Sequence, residues 1–409
     1  MRILMLTDIM YPTDHVFLEE VYSKIFREKG HTIHWVMTSK YKENKILWWN
    51  KNKIYTIGSK KNMILNYLNL VGNLIKLNKK LNKSNYDLIY VRNEPIMGLY
   101  AIKFAKQQHI PFIFQLSHLK SEETIYFTKK NLYGSKMKNY VLGRISKKIT
   151  DYILRKADLI FSISESMKEF LIKKKLSANK IAVLPLGANV DMVGNKKNQI
   201  KIAKDYNLKS GKTLIYLGTL IKTRDPLFLF NVIKTVVKNI PDLKLLVVGE
   251  GKDKNDLKEY RQFIKKNNLD NNIFLVGKVP RYKVLDYLAV SDIGLSQFPP
   301  IHFLKFNSPI KLMEYMAAGL AVIGNDYNNE QREIINRSKC GKLVKYNVPE
   351  FSNAIKFLVK NQNKTKEMGK KGKDYIKRNR TLRIIAKFAE EKMINVVGLK
   401  NEKRIIKIN

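Results

Sequence analysis

The sequence contains a single cysteine, Cys340, which excludes an internal disulfide framework and a thiolate-bound metal cluster. Its six histidines give no metal signal either, because no two stand four residues apart, the spacing that puts two ligands on one helical face. We therefore expect neither a metal nor a cofactor, and the lack of disulfides favours a reducing compartment.

Long apolar runs are also missing. No segment reaches the roughly 18 apolar residues that a membrane-spanning helix needs. The N-terminal MRILMLTDIMYP holds an apolar stretch of only about six residues before Asp8, which is too short for a signal peptide and predicts a first buried strand. We expect a cytoplasmic protein, with peripheral attachment to the inner face of the cell membrane as a further hypothesis.

Acidic residues are scarce: 35 Asp and Glu stand against 77 Lys and Arg, a net charge of +42. Such a surplus attracts nucleic acid, an anionic membrane face or a phosphorylated substrate, although a Lys/Asn/Ile-rich codon bias explains part of it equally well. The basic residues are spread over the whole chain without a nucleic-acid-binding signature, so a nucleic-acid partner is not favoured. Residues 60–83 and 126–156 fit either membrane-surface helices or, the interpretation we favour, solvated helices with a core-facing stripe.

Short apolar runs alternate with helical patterns along the chain, which predicts an α/β fold of parallel strands covered on both faces. The 409 residues suit two domains of about 200 each. The pattern lapses over the polar residues 191–212, as in a linker, and then restarts. We predict two facing, doubly wound Rossmann-like domains, 1–195 and 196–385, with the active site in the cleft between them. A basic helical tail, 386–409, is predicted to pack back on the first domain.

The densest motif is FNSPIKLMEYMAAGLAVIGNDYNNEQREII, residues 306–335. Ser308 is a natural helix N-cap, and Pro309 suits the first helical position. The N–H groups and positive dipole at this helix entrance would bind a diphosphate. Glu314, less than one turn further in, could accept hydrogen bonds from a ribose diol. The ordinary alternative is a capped helix with a solvated glutamate.

This motif resembles that of the retaining glycosyltransferases of family 4, which have the GT-B fold. The resemblance continues in the family's order through ADLIFSISESMKEFL, IAVLPLGANVD, LIYLGTLIKTRD, LLVVGEGKDKNDL and IFLVGKVPRYKVLDYLAVSD. It implies transfer of a sugar from a nucleotide-diphosphate sugar, with retention of anomeric configuration, to a glycan, a lipid-linked acceptor or a cell-surface polysaccharide precursor. No D-x-D occurs in the chain, so the metal clamp of the other main glycosyltransferase fold is not expected.

The resemblance also implies roles for individual residues. Glu314 would hold the donor ribose, Arg224 would stabilise the charge on the phosphates, and His118 would reach the donor sugar or acceptor. The other donor-binding positions that it implies are Gly218, Thr219, Lys222, Gly251, Gly277, Lys278, Val279, Asn307, Ser308, Pro309, Ile310 and Lys311.

Three positions depart from the family pattern. Phe306 replaces the first of the paired glutamates, Thr219 replaces an arginine after the phosphate turn, and MYPTDHVF replaces the N-terminal glycine pair. These departures make an inactive family member one alternative. A sugar-nucleotide epimerase of the same two-domain architecture is a second, and a basic nucleic-acid-binding protein, motivated by the charge of +42, is a third. A dehydrogenase is disfavoured because Lys254 stands where the third glycine of a dinucleotide fingerprint would be.

Overall fold

The computed structural model describes residues 1–41, 43–59, 63–132, 137–191, 194–251 and 253–406. Parts of the predicted basic segments (60–62, 133–136), of the linker (192–193) and of the tail (407–409) lie outside the described residues. The chain divides into unit 1, Met1–Pro185 with Leu382–Asn409, and unit 2, Leu186–Thr381. The divisions at Pro185 and Thr381 precede those predicted at 195 and 385, because a parallel bridge between Ala188 and Thr381 ties both ends into unit 2.

Unit 1 is built on an eight-stranded sheet in the order β3-β4-β2-β1-β5-β6-β7-β8, parallel except for the edge strand β3. The predicted apolar runs form its central strands, which are buried over most of their length. The strands are β1 (Arg2–Tyr11), β2 (Thr32–Ser39), β3 (Lys45–Trp49), β4 (Asn52–Gly58), β5 (Leu88–Arg92), β6 (Phe112–Leu116), β7 (Leu159–Ser162) and β8 (Ile181–Val183).

The helices of unit 1 cover the two faces of this sheet. Connections between parallel strands of one sheet are right-handed. Two connections that run in opposite directions along the strand order therefore place their helices on opposite faces of the sheet. The connection from β1 to β2 therefore lies on one face, and those from β4 through β8 lie on the other. The helical segments are Phe17–Ile25 (π-helical), α1 (Phe26–Glu28), α2 (Met63–Leu81), α3 (Pro95–Gln108), α4 (Lys120–Lys129), α5 (Met137–Lys156) and α6 (Glu165–Lys173).

Unit 2 is built on an all-parallel, six-stranded sheet in the order β11-β10-β9-β12-β13-β14. Its strands are β9 (Thr213–Leu217), β10 (Lys244–Val248), β11 (Ile273–Gly277), β12 (Ile293–Ser296), β13 (Ala321–Asn325) and β14 (Gly341–Val344). Its helices are α7 (Lys196–Asp205), α8 (Pro226–Val236), α9 (Lys254–Lys266), α10 (Arg281–Ala289), α11 (Ile310–Ala318), α12 (Asn329–Ser338), α13 (Val348–Lys360) and α14 (Gln362–Asn379).

The segment interpreted as a linker contains α7, which belongs to unit 2. Asn195 caps this helix by accepting hydrogen bonds from the amides of Lys197 and Asn198. Asp286 of α10 accepts hydrogen bonds from the Asn195 amide and the Asn198 side chain. The linker prediction was wrong here because a short polar helix has little apolar surface to show in the sequence.

The C-terminal helix α15 (Leu382–Ile406) returns to unit 1 and packs against the Phe17–Ile25 segment. Its Glu390 carboxylate lies 2.6 Å from Nε2 of His31 and 2.5 Å from Nζ of Lys29. Over its described residues, the predicted tail is thus part of a continuous helix, Leu382–Ile406. Within the described ranges, no helix is long and apolar enough to cross a membrane.

Candidate active site

The entrance of α11 lies one residue further along the chain than the sequence suggested. The helix begins at Ile310 with Pro309 as its N-cap, and no side chain caps it. The prediction that Ser308 caps this helix was wrong, because the Ser308 hydroxyl accepts a hydrogen bond from the Leu186 amide at 3.3 Å. The first N–H groups of a helix have no partner inside it, so those of Ile310 and Lys311 are placed to bind an anion.

A cavity of about 320 Å³ opens beside this helix entrance, within unit 2. Parts of its lining follow the ends of β9, β10, β11 and β12, so the cavity lies at the carboxyl edge of the parallel sheet. Ligands of doubly wound folds bind at this edge. The lining residues are Tyr216, Leu217, Gly218, Thr219, Arg224, Val248, Gly249, Lys278, Val279, Arg281, Val284, Phe298, Asn307, Ser308, Pro309, Ile310, Lys311 and Glu314.

Most of the predicted donor-binding residues meet in this cavity, although four predicted residues do not line it. Lys222 points to α9, with its Nζ 3.6 Å from Oδ1 of Asp256. His118 belongs to unit 1, where its Nε2 lies 3.0 Å from Oε2 of Glu123. Gly251 and Gly277 lie in the loops after β10 and at the end of β11, outside the lining. The roles of these four residues stay predictions.

The lining is strongly basic and contains one ion pair, whose carboxylate is buried and whose guanidinium is partly exposed. Four cations, Arg224, Lys278, Arg281 and Lys311, accompany one carboxylate, Glu314. The Glu314 side chain is 8% exposed, and its Oε1 accepts a hydrogen bond from Nη2 of Arg281. The alternative of a solvated glutamate is therefore wrong. Such a surplus of cations around a concave site favours an anionic ligand with two or more charges.

Arg281 is a lining residue that the sequence reasoning missed. It begins α10, in the loop region that follows Gly277, Lys278 and Val279, three residues predicted to bind the donor. Its position next to that loop was the available signal, but its partner Glu314 stands far away in sequence. The pairing depends on the parallel sheet that brings the two helix starts together.

The Lys311 ammonium is held over an aromatic ring instead of in water. Its Nζ lies 3.9 Å from the centroid of the Tyr216 ring. Burial lowers the pKa of Lys311 well below its usual value, Arg224 lowers it further, and Glu314 raises it. Burial raises the pKa of Tyr216 to about 12, so that the phenol stays neutral. A bound diphosphate would offset the burial and the repulsion from Arg224, and so would raise the pKa of Lys311.

The backbone beside Arg224 and Lys311 depends on two glycines. Gly218 and Gly249 have φ angles of +148° and +149°, a region that L side chains rarely adopt. A Cβ on Gly249 would lie 1.9 Å from the carbonyl oxygen of Gly218. The two strand ends approach each other this closely only because Gly249 carries no side chain.

Gly249→Ala is expected to destabilise the protein by at least about 2 kcal/mol, since the added Cβ meets fixed backbone in a strained conformation. The urea midpoint measured by circular dichroism would report the loss. Gly72→Ala in α2, where a Cβ would meet nothing within 4 Å, is the matched control and should be neutral or slightly stabilising. An unchanged midpoint for Gly249→Ala would contradict the close approach.

Phe306 occupies the position of the first motif glutamate. It ends a 3₁₀ helix, His302–Phe306, and its side chain is buried and outside the cavity lining. Position 306 therefore provides no carboxylate in the place of that glutamate. Within the described residues, no group of three or more His, Cys, Asp or Glu side chains is placed to hold a metal ion.

Solved structures identify the class of fold. The crystal structure of Anabaena HepE in complex with UDP-glucose matches with a TM-score of 0.73, covering 97% of this chain and 100% of that one at 15% identity. The architecture is thus that of a GT-B glycosyltransferase.

The family follows from the sequence. The model described as Glycosyltransferase Family 4 matches residues 23–192, and that of Glycosyl transferases group 1 matches residues 196–375. The chain belongs to the family 4 glycosyltransferases. It is 26% identical over 307 residues to an uncharacterized glycosyltransferase of Methanocaldococcus jannaschii, covering 73% of this chain and 72% of that one. It is 24% identical over 290 residues to an Escherichia coli UDP-Gal:alpha-D-GlcNAc-diphosphoundecaprenol alpha-1,3-galactosyltransferase, covering 69% and 68%.

Proposed function

We propose that this glycosyltransferase takes a sugar from a nucleoside-diphosphate sugar bound in the unit 2 cavity and transfers it with retention of anomeric configuration. The observation that carries the proposal is the convergence of Arg224, Lys311 and the entrance of α11 on one cavity that also holds a buried carboxylate, Glu314. Cations and helix N–H groups suit a diphosphate, and a carboxylate suits a ribose diol.

The proposed reaction breaks the bond between the anomeric carbon and the β-phosphate oxygen, and that oxygen keeps the electron pair. An acceptor hydroxyl attacks the same face of the sugar and gives its proton to the departing phosphate. Negative charge grows on the diphosphate during this step, and Arg224 and the N–H groups of Ile310 and Lys311 would stabilise it. The protein contributes mainly orientation and a fixed electrostatic environment.

A uridine diphosphate donor is the first candidate, because the structural neighbour from Anabaena was solved with UDP-glucose and the E. coli relative is named for UDP-Gal. That relative's named acceptor is a sugar on a lipid diphosphate. We propose an acceptor of the same general kind, a glycan or lipid-linked precursor of a cell-envelope polysaccharide.

A panel of nucleotide sugars measured by thermal shift would test the donor site, since a ligand that binds the folded state raises Tm by mass action. We expect at least one UDP-sugar to stabilise the protein, and free UDP to compete with it.

Product analysis without an acceptor distinguishes the proposed transferase from a sugar-nucleotide epimerase. An epimerase would release an epimer or free sugar, whereas the proposed transferase would need an acceptor for turnover.

Turnover is expected to continue in excess EDTA, because protein cations and a helix entrance, instead of a divalent ion, would balance the diphosphate. The rate with EDTA would be compared with the rate after adding Mg²⁺ or Mn²⁺ in excess. A loss of more than about tenfold that either metal restores would contradict this proposal.

A further inference from the structure

The outer face of one helix layer in unit 1 has a composition that the donor site does not explain. Helices α2, α3 and α5 lie on the same face of the eight-stranded sheet and adjoin one another in that order. Tyr100 of α3 donates a hydrogen bond to Asn78 of α2, and Gly98 lets Ile153 of α5 pack directly on α3. We call these three helices the α2–α3–α5 layer.

Large apolar side chains are unusually exposed on this layer. Ile75 is 66% exposed and Met137 71% exposed, although each helix also buries an apolar stripe against the sheet. A single exposed apolar residue is ordinary, but a continuing row along neighbouring helices marks an interaction surface. The exposed apolar residues of the layer include Leu68, Val71, Ile75, Leu99, Met137, Val141, Ile145 and Tyr152.

The exposed charged side chains of the layer are all basic. Helices α2 and α3 contain no Asp or Glu, and the single acid of α5, Asp151, is paired with Lys174 at 2.9 Å. Among the described residues, the layer therefore exposes no uncompensated carboxylate. Its exposed basic residues are Lys76, Lys79, Lys80, Lys103, Lys106, Lys138, Arg144, Lys148, Arg155 and Lys156.

The opposite face of the same sheet differs. Its Phe17–Ile25 segment and α1 carry Glu19, Glu20 and Glu28, and α15, which packs there, carries Glu390 and Glu391. On the face of the layer itself, the neighbouring helices α4 and α6 carry Glu122, Glu123, Glu165 and Glu169, so the lack of acids is confined to α2, α3 and α5. A Lys-rich codon bias acts on all helices alike, and it would not by itself leave these three helices without an unpaired acid and with exposed apolar side chains.

A basic pocket lies at the end of α2. Lys76, Lys79, Lys80 and Lys83 line a cavity of about 400 Å³. Its remaining lining comes from Asn44, Asn73 and Leu77, so the lining holds no acid. Asn44 donates a hydrogen bond to Asn73 at 2.5 Å, which joins the residue before β3 to the helix. Four ammonium groups around one concave site suit a phosphate-bearing headgroup.

We propose that the α2–α3–α5 layer docks this protein on an anionic lipid surface. Apolar side chains such as Ile75 and Ile145 would enter the headgroup–acyl boundary while the neighbouring lysines bind anionic headgroups. Nucleic acid offers phosphates but no apolar partner for these side chains. A second copy of this chain would bring an equally basic face, which like-charge repulsion disfavours. This surface is independent of the donor cavity.

Co-sedimentation with vesicles tests the proposal. We expect the full chain to bind vesicles of equal parts phosphatidylglycerol and phosphatidylcholine, to bind pure phosphatidylcholine weakly, and to be released by high salt. The variant Lys79→Glu with Lys148→Glu should lower the apparent affinity by about tenfold or more. Ile75→Gln with Ile145→Gln should lower it by a similar factor through lost apolar burial.

The matched control is Ile394→Gln with Leu399→Gln on α15, since these side chains are 50% and 57% exposed and belong to the opposite face. This variant should bind vesicles like the wild type. Donor-induced thermal shift should be unchanged in all variants, which separates failed docking from a failed donor site. The proposal is overturned if vesicle binding by the wild type does not depend on headgroup charge or salt. It is also overturned if the control and layer variants lose vesicle affinity equally. Stronger binding of RNA that the glutamine variants leave intact, or a dimer that they dissociate, would also overturn it.

Discussion

Replacing Arg224 by alanine is expected to lower kcat at least about 100-fold, which corresponds to about 2.7 kcal/mol of lost transition-state stabilisation. The guanidinium lines the cavity of unit 2, where, in the proposed reaction, negative charge would grow on the departing diphosphate. The fold should survive, because the backbone around Arg224 is held by other groups. Gln297 donates a hydrogen bond to the Arg224 carbonyl, and Asp225 caps α8 while accepting a hydrogen bond from Tyr346.

Steady-state kinetics with donor and acceptor, together with the urea midpoint, would measure both parts of this expectation. Arg261→Ala on α9 removes an exposed arginine of unit 2 outside the cavity, and it should leave kcat nearly unchanged. Arg224→Lys keeps the charge but loses the two-pronged hydrogen-bonding group, so an intermediate rate is expected. A wild-type rate in Arg224→Ala would refute this assignment.

Glu314→Ala is expected to reduce turnover by about 100-fold as well, with a raised donor KM. The carboxylate would lose its hydrogen bonds to the ribose, and the cavity would gain a net positive charge beside Arg281. Because the Arg281 side chain is 39% exposed, solvent screens this ion pair, and its loss should lower the free energy of unfolding by only about 1 kcal/mol. Glu314→Gln keeps the shape and removes the charge, so its kinetics separate the two contributions.

Arg281 supplies the internal control for this second expectation. If Glu314 acts only by holding Arg281, then Glu314→Ala, Arg281→Ala and the double variant should have the same kcat/KM. If Glu314 binds the ribose itself, Arg281→Ala should be the milder of the two single variants. A Glu314→Ala enzyme with unchanged donor KM and kcat would remove Glu314 from the donor site.

The predictions from sequence agree best with the structure where they depend on residues that are close together in the chain. The apolar runs became parallel strands because their residues are buried on both faces, and the glycosyltransferase family was evident in SPIKLMEYMAAGLAVI. The error at Ser308 arose because the bond that holds its hydroxyl comes from Leu186, a residue distant in sequence. The polar helix α7 was missed for a similar reason, since its partner Asp286 belongs to α10.

The sequence by itself determined the α/β class, the family and a helix entrance suited to a diphosphate, because these depend on apolar periodicity and on short motifs. Only the tertiary structure decided that Glu314 is buried against Arg281, that Lys311 lies over Tyr216 and that Lys222 turns away to Asp256. The same is true of the basic and apolar α2–α3–α5 layer, whose three helices adjoin only in the fold. Side chains that are far apart in sequence acquire their charge environment from the packing of the sheet, which local patterns do not encode.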